Sequence, residues 1–264
     1  MKRIVIKVGT STLTYENGQI NLRRIEQLCK VISDLQNQGF EIVFVSSGAV
    51  GVGVGKLGLK KRPDRIEEKQ AVAAVGQCEL MFMYDKLFGE YNHTVAQILL
   101  TRDVIETDSK RLNVINTINT LLDMGIIPIV NENDTVAIDE IDGANIGDND
   151  MLSAMVASLI SADRLIILTD IDGLYNTNPK TDPMAHKIDR VIKITDEIFS
   201  MAGGSGSNRG TGGMVTKLKA AQYATAFGID CHVMSGDNPS KLYDALEGKT
   251  IGTLFTGVRK NDAD

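Results

Sequence analysis

Two lysines of this sequence lie where an ammonium group could bind phosphate. Lys7 interrupts an apolar run just before Gly9, and a buried ammonium needs an anionic partner. Lys217 falls one turn inside a predicted helix that follows the glycine-rich stretch from Gly203 to Gly213. A glycine-rich loop that leads into a helix N-terminus is a common phosphate site, because backbone N–H groups and the helix dipole favour an anion. The alternative for Lys7 is an edge-strand lysine that faces water, and the alternative for the glycine-rich stretch is an interdomain linker. The pattern favours nucleotide binding.

Carboxylates and amides form two further clusters. Asp148, Asn149 and Asp150 stand at a predicted helix start, where such residues often serve only as N-caps. A single N-cap does not require this many polar residues, and a carboxylate here could hold both lysines in position. The segment that runs from Asn131 to Asp134 supplies hydrogen-bonding groups suited to an amino-acid or sugar-like substrate.

A third candidate is the run in which Gly51, Gly53 and Gly55 follow a predicted strand. It offers unobstructed backbone N–H groups. It is not a Walker A loop, because Leu57 stands where Ser or Thr is required, and its spacing does not fit the dinucleotide fingerprint. A flexible turn is the alternative, and the motif alone does not decide between the two.

A regular alternation of strands and helices must position these residues. Continuous apolar runs predict strands buried on both faces at residues 3–8, 41–47, 94–100, 126–130, 164–169 and 229–234. Apolar residues at helical spacing predict helices at residues 21–38, 63–88, 109–124, 149–161 and 214–227. The alternation predicts an α/β fold with helices on both faces of a mainly parallel sheet, and ligands bind beyond the carboxyl ends of such strands. Residues 136–145 break the pattern and predict a projecting hairpin.

The composition excludes several classes of protein. The 264 residues carry 34 acidic and 28 basic side chains and a net charge of −6, which disfavours a nucleic-acid binder. No stretch approaches the ~20 apolar residues of a transmembrane helix, and Lys7 interrupts the first apolar run too early for a signal peptide. The cysteines form no CxxC pair and the histidines lack metal-ligand spacing. We therefore expect a cytoplasmic protein with reduced thiols, without nucleic-acid or membrane partners and without a metal site of its own.

Seven segments carry a resemblance to a known family. In chain order they are IVIKVGTS, VSSGAV, IPIVNENDTVA, GDNDMLSA, LTDIDGLY, GTGGMVTK and GTLF. They cover nearly the whole chain and resemble the amino-acid kinase superfamily, most closely its glutamate 5-kinase family. The NEND and GTGGMVTK segments are specific to that family. Acetylglutamate, carbamate and uridylate kinases share the early lysine–glycine strand but match less well in these two segments.

The resemblance implies the three-layer αβα fold of that superfamily. It implies ATP-dependent phosphorylation of the γ-carboxylate of L-glutamate, the first step of proline biosynthesis. It also implies a single kinase domain over residues 1–264, with about residues 1–150 binding glutamate and about residues 151–264 binding ATP. The implied cofactor is Mg²⁺, held mainly by the phosphates of ATP.

The resemblance also assigns roles to individual residues by their positions in the motifs. The residues implied to be catalytic are two phosphate-handling lysines and the aspartate that orients them: Lys7, Lys217 and Asp150. The residues implied to bind glutamate, or to neighbour it, are Ser47, Asn131, Asp134, Asp148 and Asn149. The residues implied to bind ATP are Lys7, Gly9, Thr169, Asp170, Thr211, Gly212, Gly213, Met214, Val215, Thr216 and Lys217.

Two features depart from the family pattern. Many members continue into a C-terminal PUA domain, whereas this chain ends at Asp264, so we expect a kinase form without it. The segment from Asp139 to Asn145 resembles an insertion near the glutamate site. The resemblance further suggests a homo-oligomer (a dimer or tetramer), feedback inhibition by L-proline, and glutamate-5-phosphate reductase as the next enzyme of the pathway.

Two other interpretations compete with this one. A kinase of the same fold could act on N-acetylglutamate, carbamate or a nucleotide. The free α-amine of glutamate calls for acidic partners such as Asp134 and Asp148, whereas a nucleotide acceptor calls for basic residues. The second interpretation is a catalytically silent regulator that binds an amino acid, but such a protein has no need of both Lys7 and Lys217.

Overall fold

A mainly parallel sheet forms the centre of the molecule. The computed structural model describes residues 2–137, 149–179, 181–202 and 213–258, so the predicted hairpin and the insertion-like segment lie almost entirely outside the described residues. The strands are β1 (Arg3–Val8), β2 (Glu41–Val45), β3 (Val95–Leu100), β4 (Ile127–Glu132), β5 (Arg164–Thr169), β6 (Leu174–Tyr175), β7 (Lys187–Ile188), β8 (Arg190–Val191), β9 (Asp230–Ser235) and β10 (Thr253–Phe255).

Eight of these strands form one sheet in the order β3-β4-β2-β1-β5-β9-β10-β8, and β6 pairs with β7 separately. Neighbours in the large sheet are parallel, except that β10 runs antiparallel to β9. The six predicted strands are confirmed with ends shifted by no more than two residues. The two-residue strands and β10 were not predicted, because such short segments carry too little periodicity.

Helices connect the strands. They are α1 (Thr10–Leu13), α2 (Leu22–Asn37), α3 (Ala49–Leu57), α4 (Ile66–Gly89), α5 (Arg102–Glu106), α6 (Asp108–Asp123), α7 (Asn149–Leu159), α8 (Asp196–Ala202), α9 (Met214–Ala226) and α10 (Lys241–Leu246). The Asn21 side chain caps α2 by accepting a hydrogen bond from the Arg24 N–H at 3.2 Å. Helix α4 begins three residues later than predicted, because Arg65 is still extended. Among the described residues, no helix is long and apolar enough to span a membrane.

Alternate residues of β1 face opposite helical layers. Ile4 and Ile6 pack in a core cluster with residues of α2 and α4, whereas Val5 packs in a second cluster with residues of α7 and α9. The predicted three-layer αβα arrangement is confirmed. Side chains along a strand alternate between its faces, so Lys7 shares the face of Val5 and points towards α7 and α9.

The glycine-rich run after β2 forms helix α3 and not a flexible turn. Gly53 of this run and Gly76 of α4 allow the two helices to approach closely. A Cβ atom built on Gly53 would lie 2.0 Å from the Val72 carbonyl oxygen, and one on Gly76 would lie 1.8 Å from that of Ala49. The sequence was ambiguous here because glycine is a poor helix former, and the packing that requires it involves a second helix.

Candidate active site

A cavity of about 370 Å³ opens at the carboxyl ends of four neighbouring strands, β1, β2, β4 and β5. This is the position at which a parallel sheet binds ligands. The residues predicted from the sequence that line it are Lys7, Gly9, Ser47, Asp134, Asn149, Thr169, Asp170 and Lys217. The fold therefore brings together motifs that are up to 210 positions apart along the chain.

Three buried charges lie beside this cavity. Asp150, in the first turn of α7, contacts Lys7 Nζ through Oδ1 at 2.6 Å and Lys217 Nζ through Oδ2 at 3.1 Å. The Asp150 side chain is 0% exposed, and those of Lys7 and Lys217 are 6% and 5% exposed. Thr216 Oγ1 also donates to Asp150 Oδ2, at 3.1 Å. One carboxylate thus holds an ammonium from β1 and another from α9 at a fixed separation.

The electrostatics of this array favour an anion. Burial by itself raises the pKa of the Asp150 carboxyl, but the charges and hydrogen bonds of Lys7 and Lys217 outweigh burial, and the net effect lowers the pKa. Asp150 is therefore ionised at neutral pH. Two ammonium groups and one carboxylate leave a net charge of +1. A buried net charge is costly unless a counter-ion approaches it, and both lysines line the cavity.

The N-terminus of α3 forms another wall of the cavity. Gly48 precedes α3 with a left-handed φ of 86° and provides no side-chain cap. The N–H groups of Ala49, Val50 and Gly51 therefore have no partner within the helix, and all three residues line the cavity. Such a helix start favours a carboxylate or a phosphate. Ser47 is held beside it, since its hydroxyl donates to the Val8 carbonyl oxygen at 2.6 Å.

The backbone at the end of β1 has its own pattern of donors. The N–H of Gly9 donates to the Leu168 carbonyl oxygen at 3.1 Å and belongs to the sheet. Backbone donors for a ligand in this turn would have to come from Thr10 and Ser11, which begin α1 and also line the cavity.

Asn149 and Asn131 belong to a chain of hydrogen-bonded amides. Asn149 lines the cavity, and its Nδ2 donates to Asn131 Oδ1 at 2.9 Å. Asn131 does not line the cavity but lies behind it, with 1% of its surface exposed. Asn131 Nδ2 in turn donates to Gln77 Oε1 at 2.7 Å. Gln77, on α4, connects this chain to the helical layer.

The predicted nucleotide segment is only partly described. Thr211 and Gly212, like the predicted glutamate neighbour Asp148, lie outside the described residues. Gly213 immediately precedes α9. Residues 214–216 form the first turn of α9, and Met214 also lines a second cavity, described next.

A second cavity, of about 690 Å³, lies beyond the end of β5. The loop that follows β5 and the C-terminal end of α8 line it together with Met214. Its polar groups include Asp172 and Tyr175, whose hydroxyl donates to Asp172 Oδ1 at 3.0 Å. The position next to Thr169, Asp170 and α9 is suited to a ligand that also reaches Lys217.

The carboxylates at the first cavity fit a magnesium ion that is held mainly by phosphates. Mg²⁺ commonly takes one or two carboxylates together with substrate phosphates and water. Asp150 is engaged by two lysines, but Asp134 and Asp170 line the cavity and present oxygen ligands. In the part of the chain that the structure describes, no three His, Cys, Asp or Glu side chains form a metal-binding group.

A family model described as the amino acid kinase family matches residues 2–235. The chain belongs to this family. It is 62% identical to a glutamate 5-kinase of Clostridium perfringens over 98% of this chain and 96% of that protein. It is 55% identical to a glutamate 5-kinase of Listeria monocytogenes serovar 1/2a over 98% of this chain and 94% of that protein. The resemblance found in the sequence motifs is confirmed.

Solved structures share the fold. A UMP kinase from Bacillus anthracis has a TM-score of 0.64 at 17% identity, covering 100% of this chain and 97% of that one. A carbamate kinase from Giardia lamblia bound to AMP-PNP has a TM-score of 0.68 at 17% identity, covering 97% of this chain and 99% of that one. At this identity the likeness concerns the fold alone.

Sequence reasoning missed several residues at or behind these cavities. Arg62, in the loop between α3 and α4, lines the first cavity and makes no ion pair within the described residues. The signal was a basic cluster, Lys60-Lys61-Arg62, which resembled an ordinary solvated loop. Gln77 had no signal, because it lies inside an amphipathic helix pattern. Asp172 and Tyr175 belong to the LTDIDGLY motif, of which only the first polar residues were assigned.

Proposed function

We propose that this chain is a glutamate 5-kinase, which transfers the γ-phosphoryl group of ATP to the γ-carboxylate of L-glutamate. The observation that carries the proposal is the buried array of Lys7, Asp150 and Lys217 beside a cavity with charged and polar walls, in a chain 62% identical to a glutamate 5-kinase. The product, L-glutamyl 5-phosphate, is an acyl phosphate that begins proline biosynthesis.

The reaction needs no general base. A free γ-carboxyl group has a pKa of about 4.3, so at neutral pH the acceptor is already an ionised nucleophile. No histidine among the described residues lines the cavity. One acceptor oxygen attacks the γ-phosphorus, and the bond from that phosphorus to the bridging oxygen of ADP breaks. The enzyme's task is to bring two anions together in line and to stabilise the charge on the transferred group.

The two lysines perform that task. Lys7 and Lys217 neutralise the charge that spreads over the transferred phosphoryl group, and Asp150 positions them without lying in the path of the ligands. Because the array is nearly inaccessible to water, its charges interact more strongly with a bound phosphate than exposed lysines would. Mg²⁺, when bound with ATP, would neutralise part of the phosphate charge, and Asp134 and Asp170 are the carboxylates on the cavity that would help to hold it.

The two substrates are bound mainly by different parts of the chain and meet at the first cavity. Residues of about 1–150 bind L-glutamate and those of about 151–264 bind ATP. The open N–H groups of α3 and the guanidinium of Arg62 suit the α-carboxylate of glutamate, while Ser47, Asp134 and Asn149 suit the rest of its polar groups. Thr169, Asp170 and residues 211–217 bind ATP, and the second cavity accommodates its nucleoside.

The product sets a requirement on the next enzyme. An acyl phosphate hydrolyses readily and must be reduced soon after release, which is the role proposed for glutamate-5-phosphate reductase.

We place both enzymes in the cytoplasm. Inhibition by L-proline and assembly into a homo-oligomer complete the proposal. Kinetics with added proline test the inhibition, and the mass of the protein in solution tests the assembly.

The experiment measures ATP turnover with Mg²⁺ and traps acyl phosphates with hydroxylamine. The acceptors are L-glutamate, N-acetylglutamate, aspartate, carbamate and UMP. Hydroxamate formation with glutamate alone is the expected result. Phosphorylation of another compound in place of glutamate would show that this compound, and not glutamate, is the substrate. A folded protein that binds ATP but phosphorylates none of the five compounds would be a regulator.

A further inference from the structure

We propose that Gln77 is a positioning residue that fixes the direction of the Asn149 amide, so that the part of the cavity that binds glutamate selects a free ammonium group. This inference rests on the proposed function and names a determinant of its substrate specificity. Gln77 is 9% exposed and lies on α4. It does not line the cavity, so it acts through Asn131 and Asn149.

Two backbone groups identify the nitrogen and the oxygen of the Asn149 and Asn131 amides. The Ser46 carbonyl oxygen can only accept, so the atom of Asn149 that lies 2.7 Å from it must be Nδ2. The Glu132 N–H can only donate, so the atom of Asn131 that lies 2.9 Å from it must be Oδ1. The assignment of nitrogen and oxygen in an amide normally rests on its neighbours, and here those neighbours allow one answer.

The orientation of Asn149 determines what it offers to a ligand. Its Nδ2 donates one hydrogen to Ser46 and the other, at 2.9 Å, to Asn131 Oδ1. Both N–H bonds are thereby used inside the protein. The polar atom that remains for the cavity is Oδ1, which is an acceptor. Asp134, on the same cavity, is a second acceptor, and two acceptors favour the α-ammonium of an amino acid over an acylated amine.

Gln77 supplies the last acceptor of the chain. With Asn131 Oδ1 committed to Glu132 and Asn149, the buried Asn131 Nδ2 needs a partner, and Gln77 Oε1 accepts from it at 2.7 Å. Without that partner, Asn131 would keep a buried donor unsatisfied, which favours a shift of its side chain away from Asn149. Asn149 would then be held only by the hydrogen bond from Nδ2 to the Ser46 carbonyl oxygen, about which the amide can turn, so the direction of Oδ1 would no longer be fixed.

The test compares Gln77→Met, which removes the acceptor at similar volume, with Gln77→Glu, which keeps an acceptor oxygen at the same length. The ligands are L-glutamate and glutarate, which lacks only the amine. For each protein, calorimetry gives the Kd of both ligands and the hydroxamate assay gives kcat and KM. We expect wild type to bind glutamate more tightly than glutarate. The ratio of the two Kd values should fall about tenfold in Gln77→Met and return most of the way to the wild-type ratio in Gln77→Glu. The KM for ATP should not change.

The outcomes separate a positioning role from a structural one. Loss of thermal stability in Gln77→Met with an unchanged ratio of glutamate to glutarate affinities would overturn the inference, as would a wild type with no preference between them. If Gln77→Met does not fold, Gln77→Leu is the second variant without an acceptor. Wild type that binds glutamate but does not phosphorylate it would refute the proposed function, while the ligand affinities would still decide the role of Gln77.

Discussion

Lys217→Met removes one of the two buried ammonium groups while keeping most of the side-chain volume. The remaining array of Lys7 and Asp150 has no net charge, whereas the wild-type array carries +1. The Asp150 carboxylate keeps its 2.6 Å contact with Lys7, so the buried acid is not left without a counter-ion. We therefore expect a protein that folds, with a loss of stability smaller than the ~3–5 kcal/mol typical of a fully broken buried ion pair.

The loss of catalysis is expected to be larger. The Lys217 side chain is 5% exposed, so an effective dielectric constant of about 20 applies, at which two unit charges about 4 Å apart interact by ~4 kcal/mol. Loss of one preorganised donor to a developing charge costs about 2.7–4 kcal/mol in comparable sites. Turnover should fall by roughly a hundredfold to a thousandfold.

The assay follows hydroxamate formation at saturating ATP and glutamate, with melting temperatures measured in parallel. Lys219→Met is the matched control, because Lys219 is exposed on the same helix and does not line the cavity. A Lys217→Met protein with a normal melting temperature and near-normal kcat would refute the assigned role. An equal loss in Lys219→Met would show that the effect does not depend on the buried array.

Three other perturbations test separate parts of the site. Asp134→Ala should raise the KM for glutamate at least about tenfold by removing an acceptor, and an equal rise for ATP would contradict the division of the chain into a glutamate-binding and an ATP-binding part. Because the folded state lowers the pKa of Asp150, its ionised form adds stability above about pH 4 and loses it as the pH falls through that lowered pKa. The difference in melting temperature between wild type and Asp150→Asn should therefore be constant from about pH 7 to 5 and narrow below about pH 4; a constant difference down to pH 2 would contradict this. Gly76→Ala should lower the melting temperature and raise the KM for glutamate, because its Cβ would lie 1.8 Å from the Ala49 carbonyl oxygen at the start of α3. Gly89→Ala on the same helix is the control, since nothing lies within 4 Å of its Cβ, and equal effects of both changes would reject the packing argument.

Much of the fold could be predicted because its signals are local. The apolar runs of β1 and β5 predict buried strands, and Asn21 predicts the start of α2, since each depends on residues only a few positions apart. The position of Lys7 inside such a run already required a buried partner. The sequence alone therefore determined the parallel sheet, the edge at which ligands bind and the family to which the chain belongs.

Only the tertiary structure decided how the site is assembled. Asp150 lies between Lys7 and Lys217 because β1, α7 and α9 pack together. No local sequence pattern encodes the distances from Asp150 to the two lysines. The role proposed for Gln77 depends on a chain of amides from three separate elements. The glycines of α3 were ambiguous for the same reason, because Gly53 is required by the backbone of α4 and Gly55 by the backbone of Gly18. Local periodicity specifies elements, whereas contacts between distant residues arise only when the elements pack.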